Sequence, residues 1–281
     1  APSPSREALP SYSAMALEWG DELLTKPERC FAELHRARAA YHTGLGGNFE
    51  WEVLKNQAPG GDEQLRVLGK VDRQSDPIMP EVELVIYLSF RGTVSQENMV
   101  TNLQAELVPL SLGNGTGFVH RGFQEAYLAL RKDLLQKLDS LTIAQSDRLQ
   151  PAAVLVRATG HSLGGALAMM ACYDLSSCRG FRCECVTWGA PRLGDASFAQ
   201  LFKEQKIKLA RMVNRFDVVP RLPSNQEDEV SGDQGMLQQR IHSWLGGVQE
   251  RRNASGYVHF CAPMDLDATA AGAALHWANA A

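Results

Sequence analysis

The stretch Thr159-Gly160-His161-Ser162-Leu163-Gly164-Gly165-Ala166 sets one serine among small residues. Gly160-x-Ser162-x-Gly164 is the pattern of a sharp strand-to-helix turn that holds a serine hydroxyl above the carboxyl edge of a sheet. Such a turn strains the serine backbone, and small neighbours let strand and helix approach. The alternative is a glycine-rich turn with a bystander serine. The context argues against it: an apolar, β-branched run precedes the motif and a run rich in Ala and Met follows it. The chemistry on offer is nucleophilic attack on an acyl carbon. An unassisted serine hydroxyl is a poor nucleophile near neutral pH, so Ser162 needs a general base and an acid that orients it.

Elbows of this kind belong to α/β-hydrolases, where the acid and then the histidine follow the serine in the chain. That order prunes the candidates. Among the acids, Asp174 falls on the helix after the elbow. Asp195 opens a helix and is read as its N-cap. Asp217 closely follows a strand, in Val213-Asn-Arg-Phe-Asp217-Val-Val-Pro220, and is the preferred acid. The histidines are His35, His42, His120, His161, His242, His259 and His276. Only the last three follow Asp217. His242 sits in a polar stretch, and His259 alternates inside the strand-like Tyr257-Val-His-Phe-Cys261. His276 lies beyond the last strand, where a loop could return it to Ser162. His276 is the preferred base, His259 the second choice and His242 the third.

The elements that must position these groups alternate between two periods. Strand-like runs fall at Phe49–Leu54, Leu65–Val71, Glu83–Phe90, Ala152–Thr159, Glu184–Trp188 and Lys208–Val213, with Tyr257–Cys261 as a last short strand. Helical patterns fall at 14–41, Arg121–Leu138, Leu163–Leu175 and Asp195–Glu204. Strands alternating with helices predict an α/β fold with a mostly parallel central sheet flanked by helices. The reading expects one domain over 1–281, with a helical N-terminal region, 1–47, and a polar, Gly-rich insertion, 224–256.

Composition narrows the function without choosing it. The 281 residues are 44% hydrophobic and 21% charged, an ordinary soluble mixture. A net charge of −4 argues against nucleic-acid binding and gives no strong pull toward anionic lipid surfaces. Apolar runs fall short of the roughly 20 residues of a membrane span. Six cysteines are too sparse for a disulfide scaffold. Cys183-Glu-Cys185 lacks zinc-ligand spacing and no histidine lies near it, so no metal is expected. Buried or free thiols are the reading, with one or two local disulfides as the alternative. Ala-Pro-Ser-Pro-Ser at the start carries no leader pattern, so the expectation is a leader already removed or a chain cut from a longer one. Sequons at Asn114 and Asn253 are compatible with secretion without establishing it.

Taken together, Phe90-Arg-Gly-Thr93, Val119-His-Arg-Gly-Phe123, Thr159–Ala166, Gly189-Ala-Pro-Arg-Leu-Gly194 and Val213–Pro223 resemble the class 3 lipases. These are the fungal-type triacylglycerol lipases and their plant phospholipase A1-like relatives. The blocks run in the family's order over roughly 84–223, with Tyr257-Val-His259 as a weaker match. The resemblance implies that Ser162 is the nucleophile and Asp217 the acid. It implies an oxyanion hole built from Thr93 and the N–H of Leu163, and structural roles for His120 and His161. Met99 stands where the family commonly has tryptophan. A lid helix there would present only Met99, Val100 and Leu103, so strong interfacial activation is not expected.

The resemblance thus implies a cofactor-free carboxylic ester hydrolase acting on acylglycerols or related glycerolipids, with transient contact to a lipid interface. A phospholipase A1 or galactolipase is the second reading, in which Arg211, Arg215 and Arg221 could favour anionic head groups. A catalytically silent lipase-like binding or signalling module is the third. A secreted and an organellar location are both compatible with the sequence.

Overall fold

The computed structural model describes residues 27–42, 44–45, 48–55, 65–73, 79–92, 106–143, 149–214, 217–223, 257–258 and 263–265. In chain order its elements are α1 (Pro27–Ala39), β1 (Trp51–Lys55), β2 (Leu65–Asp72), β3 (Leu84–Phe90), β4 (Leu107–Pro109), β5 (Phe118–His120), α2 (Arg121–Ile143), β6 (Val154–His161), α3 (Leu163–Arg179), β7 (Arg182–Trp188), β8 (Gly194–Asp195), α4 (Ala196–Glu204), β9 (Lys208–Val213), β10 (Tyr257–Val258) and β11 (Pro263–Asp265).

Seven strands form the main sheet in the order β1-β2-β3-β6-β7-β9-β11. The pairs β3–β6, β6–β7, β7–β9 and β9–β11 are parallel, while β1–β2 and β2–β3 are antiparallel. The central strands are apolar on both faces because both faces are covered. Along β7, Cys183 and Cys185 enter the large core under α2 and α3, whereas Val186 and Trp188 pack with Ala37 of α1. This is the expected mostly parallel sheet flanked by helices.

Helix α3 is buried from Leu163 through Leu175. Its run of Gly and Ala lets it lie close against the sheet, and Gly180, at φ 67°, ends it in the left-handed conformation. Asp174 inside α3 is fully buried, and it accepts from the Tyr127 hydroxyl at 2.8 Å and from Arg131 at 2.8 and 3.0 Å. Asp174 is thus held by two side chains of α2, one of them a partly exposed arginine, and serves the join between α2 and α3. Asp195 caps α4 as read from sequence: its carboxylate accepts from Phe198 N at 2.9 Å. Cys172, Cys178, Cys183 and Cys185 are free thiols.

Three differences from the sequence reading have physical causes. A second sheet, β10-β8-β5-β4, is built from strands of two or three residues, too short to show any periodicity. The run beginning at Tyr257 pairs with β8 rather than joining the main sheet, whose last strand is instead β11. Helix α2 continues to Ile143, a turn past the expected end at Leu138. The expected first helical turns before residue 27 and the insertion 224–256 lie outside the described residues.

Candidate active site

Ser162 sits between the end of β6 and the start of α3 with φ 54° and ψ −127°. Few non-glycine residues adopt such a conformation, and it persists only where the surroundings over-determine it. They do so here. Ser162 N donates to Trp188 O at 2.9 Å, and Gly165 N donates to Ser162 O at 2.9 Å. The glycines of the motif are steric necessities. A Cβ on Gly160 would come within 2.3 Å of the Gly164 carbonyl, and one on Gly164 within 2.2 Å of Phe90 O. The helix start is therefore wedged between the ends of β6 and β3.

Leu163 is the first residue of α3. N–H groups in the first turn of a helix have no intrahelical acceptor and form its electropositive end. The elbow thus presents backbone donors beside a serine hydroxyl, a disposition suited to an anionic oxygen.

Asp217 stands four residues past the end of β9, two strands from Ser162. Its Oδ1 accepts from Val219 N at 3.0 Å. Burial pushes its carboxyl above the ordinary carboxylate range, and the Val219 N–H opposes that shift. Its Oδ2 lies over Gly189, the residue after β7, where an added Cβ would approach it to 2.6 Å. Gly189 has φ 56° and donates its N–H to Met212 O at 2.9 Å. Ser162 and Gly189 are thereby joined through Trp188, whose carbonyl receives the Ser162 N–H. The segment after Asp217 is held by buried Arg192, which donates to Arg221 O at 2.6 Å and to Pro223 O at 2.8 Å.

The structure therefore gathers Ser162, Leu163 and Asp217 at the carboxyl edge of neighbouring strands. Thr93, His276, His259 and His242 lie outside the described residues, as does the segment carrying Met99, Val100 and Leu103. His120 is fully buried and stacks on Phe123 with ring centroids 3.8 Å apart, a packing role. Burial pushes the His161 imidazole down to about 4, so it is neutral across the working range. Arg211 is 3% exposed within β9, placed to serve the sheet rather than a head group. Sequence reasoning missed Tyr41, whose hydroxyl reaches His161, and the steric role of Gly189. No motif surrounds Tyr41. A glycine directly after an apolar strand was the available signal for Gly189.

A family model described as Lipase (class 3) matches residues 87–227. Among curated proteins, the chain is similar to the lipase of Rhizomucor miehei, at 36% identity over 149 residues, 50% of this chain and 38% of that protein. It is similar to a chloroplastic phospholipase A1 of Arabidopsis thaliana, at 32% identity over 194 residues, 62% of this chain and 41% of that protein. The matches thus span less than half the length of either relative. Among solved structures, lipase II from Rhizopus niveus superposes with a TM-score of 0.54 and 26% identity, covering 71% of this chain and 76% of that one.

Proposed function

This chain belongs to the class 3 lipase family, and from that premise we propose that it is a serine carboxylic ester hydrolase cleaving acyl esters of glycerolipids. The observation that carries the proposal is the backbone of Ser162, a non-glycine residue held at φ 54° between an apolar strand and a helix N-terminus. Ser162 Oγ attacks the ester carbonyl while His276 removes its proton. Asp217 orients the imidazole and stabilises its cation. The N–H groups of Thr93 and Leu163 receive the oxyanion. Collapse of the tetrahedral intermediate expels the alcohol, which takes the proton from His276. Water, activated by the same base, then hydrolyses the acyl-enzyme. The residues of this scheme need no metal or organic cofactor.

The substrate proposed first is a neutral acylglycerol, met by transient contact with a lipid interface. The similarity to a phospholipase A1 keeps phospholipids as the second reading. Among the described residues, no helix is long and apolar enough to cross a membrane. The compartments in relatives' names differ: one is a secreted mono- and diacylglycerol lipase of Fusarium solani, another is chloroplastic. Fatty-acid release from trioleoylglycerol emulsions and from phosphatidylcholine vesicles tests the substrate class. Release from the emulsion is expected. Release from vesicles alone would move the assignment to the second reading, and release from neither, nor from soluble esters, would leave the silent module.

Gly189→Ala tests the placement of the acid. The new methyl must displace the Asp217 carboxyl or the backbone beneath it, and displacements of about 1 Å near an active site cost about 100-fold. A fall of that order in kcat/KM for p-nitrophenyl butyrate is expected from steady-state kinetics. An unchanged rate would show that the Asp217 position does not matter to turnover.

A further inference from the structure

We propose that Tyr41 is a positioning residue for the nucleophile, bracing the elbow from the side of the sheet opposite α3. The inference rests on the ester-hydrolase reading above. The Tyr41 hydroxyl is hydrogen-bonded to His161 Nδ1 at 3.0 Å and donates to the His161 carbonyl at 3.4 Å. Both bonds are satisfied at once when the imidazole carries its proton on Nδ1. Nδ1–H then donates to the phenol oxygen, and the phenol O–H to the carbonyl. The neutral state of buried His161 permits this arrangement. The same hydroxyl lies against Gly92, where an added Cβ would come within 2.2 Å of it. One oxygen therefore touches the residue before Ser162 and the residue before Thr93, at the two chain segments that must be held in register for attack and oxyanion capture.

The brace is itself anchored. Tyr41 lies in the turn after α1, with its N–H donating to Arg38 O at 3.0 Å. Arg66, 5% exposed, donates to the carbonyls of His42 and Gly44 just after Tyr41, the latter at 2.7 Å. Glu52 balances its charge at 2.7 Å. Arg66 sits on β2, and its carbonyl accepts from Arg91 N at 3.0 Å, directly beside Gly92. A buried guanidinium thus ties the turn carrying Tyr41 to the strand end that leads toward Thr93. Tyr41, Glu52 and Arg66 all fall outside the stretch matched by the family model.

The physical case is one of restraint. Ser162 is fixed on its C-terminal side by the Gly165 N–H and laterally by Trp188 O. On its N-terminal side, residue 161 is held by the Tyr41 hydroxyl. A positive φ at a serine relaxes unless each neighbour is held. Loss of the brace misplaces Oγ relative to its partners, which weakens an interaction made in the transition state and not in the ground-state complex. This predicts an effect on kcat rather than on KM.

The test uses Tyr41→Phe in the full chain, with Tyr87→Phe as control. Tyr87 lies on β3, and its hydroxyl, 3.4 Å from Arg157, is remote from the elbow. For p-nitrophenyl butyrate, Tyr41→Phe is expected to lower kcat about tenfold with KM unchanged, since one neutral hydrogen bond is worth about that factor. The rate of Ser162 labelling by a fluorophosphonate should fall in parallel. Tyr87→Phe should keep wild-type kcat. If Tyr41→Phe keeps wild-type kcat and labelling rate, with or without a fall in Tm, Tyr41 only packs and the proposal is overturned. If both tyrosine variants lose kcat equally, the effect is general loosening, and the proposal is again overturned. A wild-type protein that neither labels nor turns over would remove the hydrolase reading itself, a result distinct from an active enzyme indifferent to Tyr41.

Discussion

Ser162→Ala is expected to abolish turnover of p-nitrophenyl esters, with a loss of at least about 10⁴-fold, and to leave no site for a fluorophosphonate probe. The variant should fold normally, because alanine fills the same space and makes the same backbone bonds to Trp188 and Gly165. Ser162→Gly separates chemistry from strain. It should be equally inactive, yet more stable by about 1 kcal/mol, since glycine reaches positive φ without a Cβ penalty and that gain outweighs its extra unfolded-state entropy. Urea denaturation of both variants beside the parent measures the difference. Turnover surviving in Ser162→Ala would mean another nucleophile and would end the assignment. A destabilised Ser162→Gly would show that the elbow stores no strain.

The second large effect concerns the base. His276→Ala should cost about 10⁴-fold in kcat/KM, while His259→Ala should fold and keep measurable activity. The register of the last strand supports this order. In the parallel pair β9–β11, Asp265 aligns with Val213, the final residue of β9. The chain therefore leaves β11 at the same sheet edge from which Asp217 departs, and His276 follows eleven residues later. His259 lies in sequence between β10, which pairs with β8, and β11. The pH–rate profile adds a check. Asp217 must be ionised to stabilise an imidazolium, and burial raises its pKa, so rate should be lost on acidification through the protonation of both groups. The reverse pattern, a dead His259→Ala and an active His276→Ala, would reassign the base.

Much of the scaffold was legible because its signals are local. The apolar, β-branched runs at β3 and β6 and the Ala-rich α3 announce buried strands and a buried helix within windows of ten residues. Asp195 could be read as a cap because capping involves the next three residues only. The strands β4, β5 and β8 left no such trace. Two or three residues make no period, and their pairing partners lie far away in the chain. Pro263–Asp265 escaped for the same reason.

The elbow and the alternation of strands with helices were determined by the sequence alone. Each depends on steric and hydrophobic rules acting between near neighbours. The tertiary structure decided what depends on distant ones. Asp174 is occupied by Tyr127 and Arg131, forty-odd residues away, and Asp195 by its own helix, whereas the carboxylate of Asp217 stands over Gly189 beside the elbow. Tyr41 meets His161 across 120 positions. A contact of that span is enforced by packing α1 against the sheet, and packing leaves no pattern in the spacing of residues.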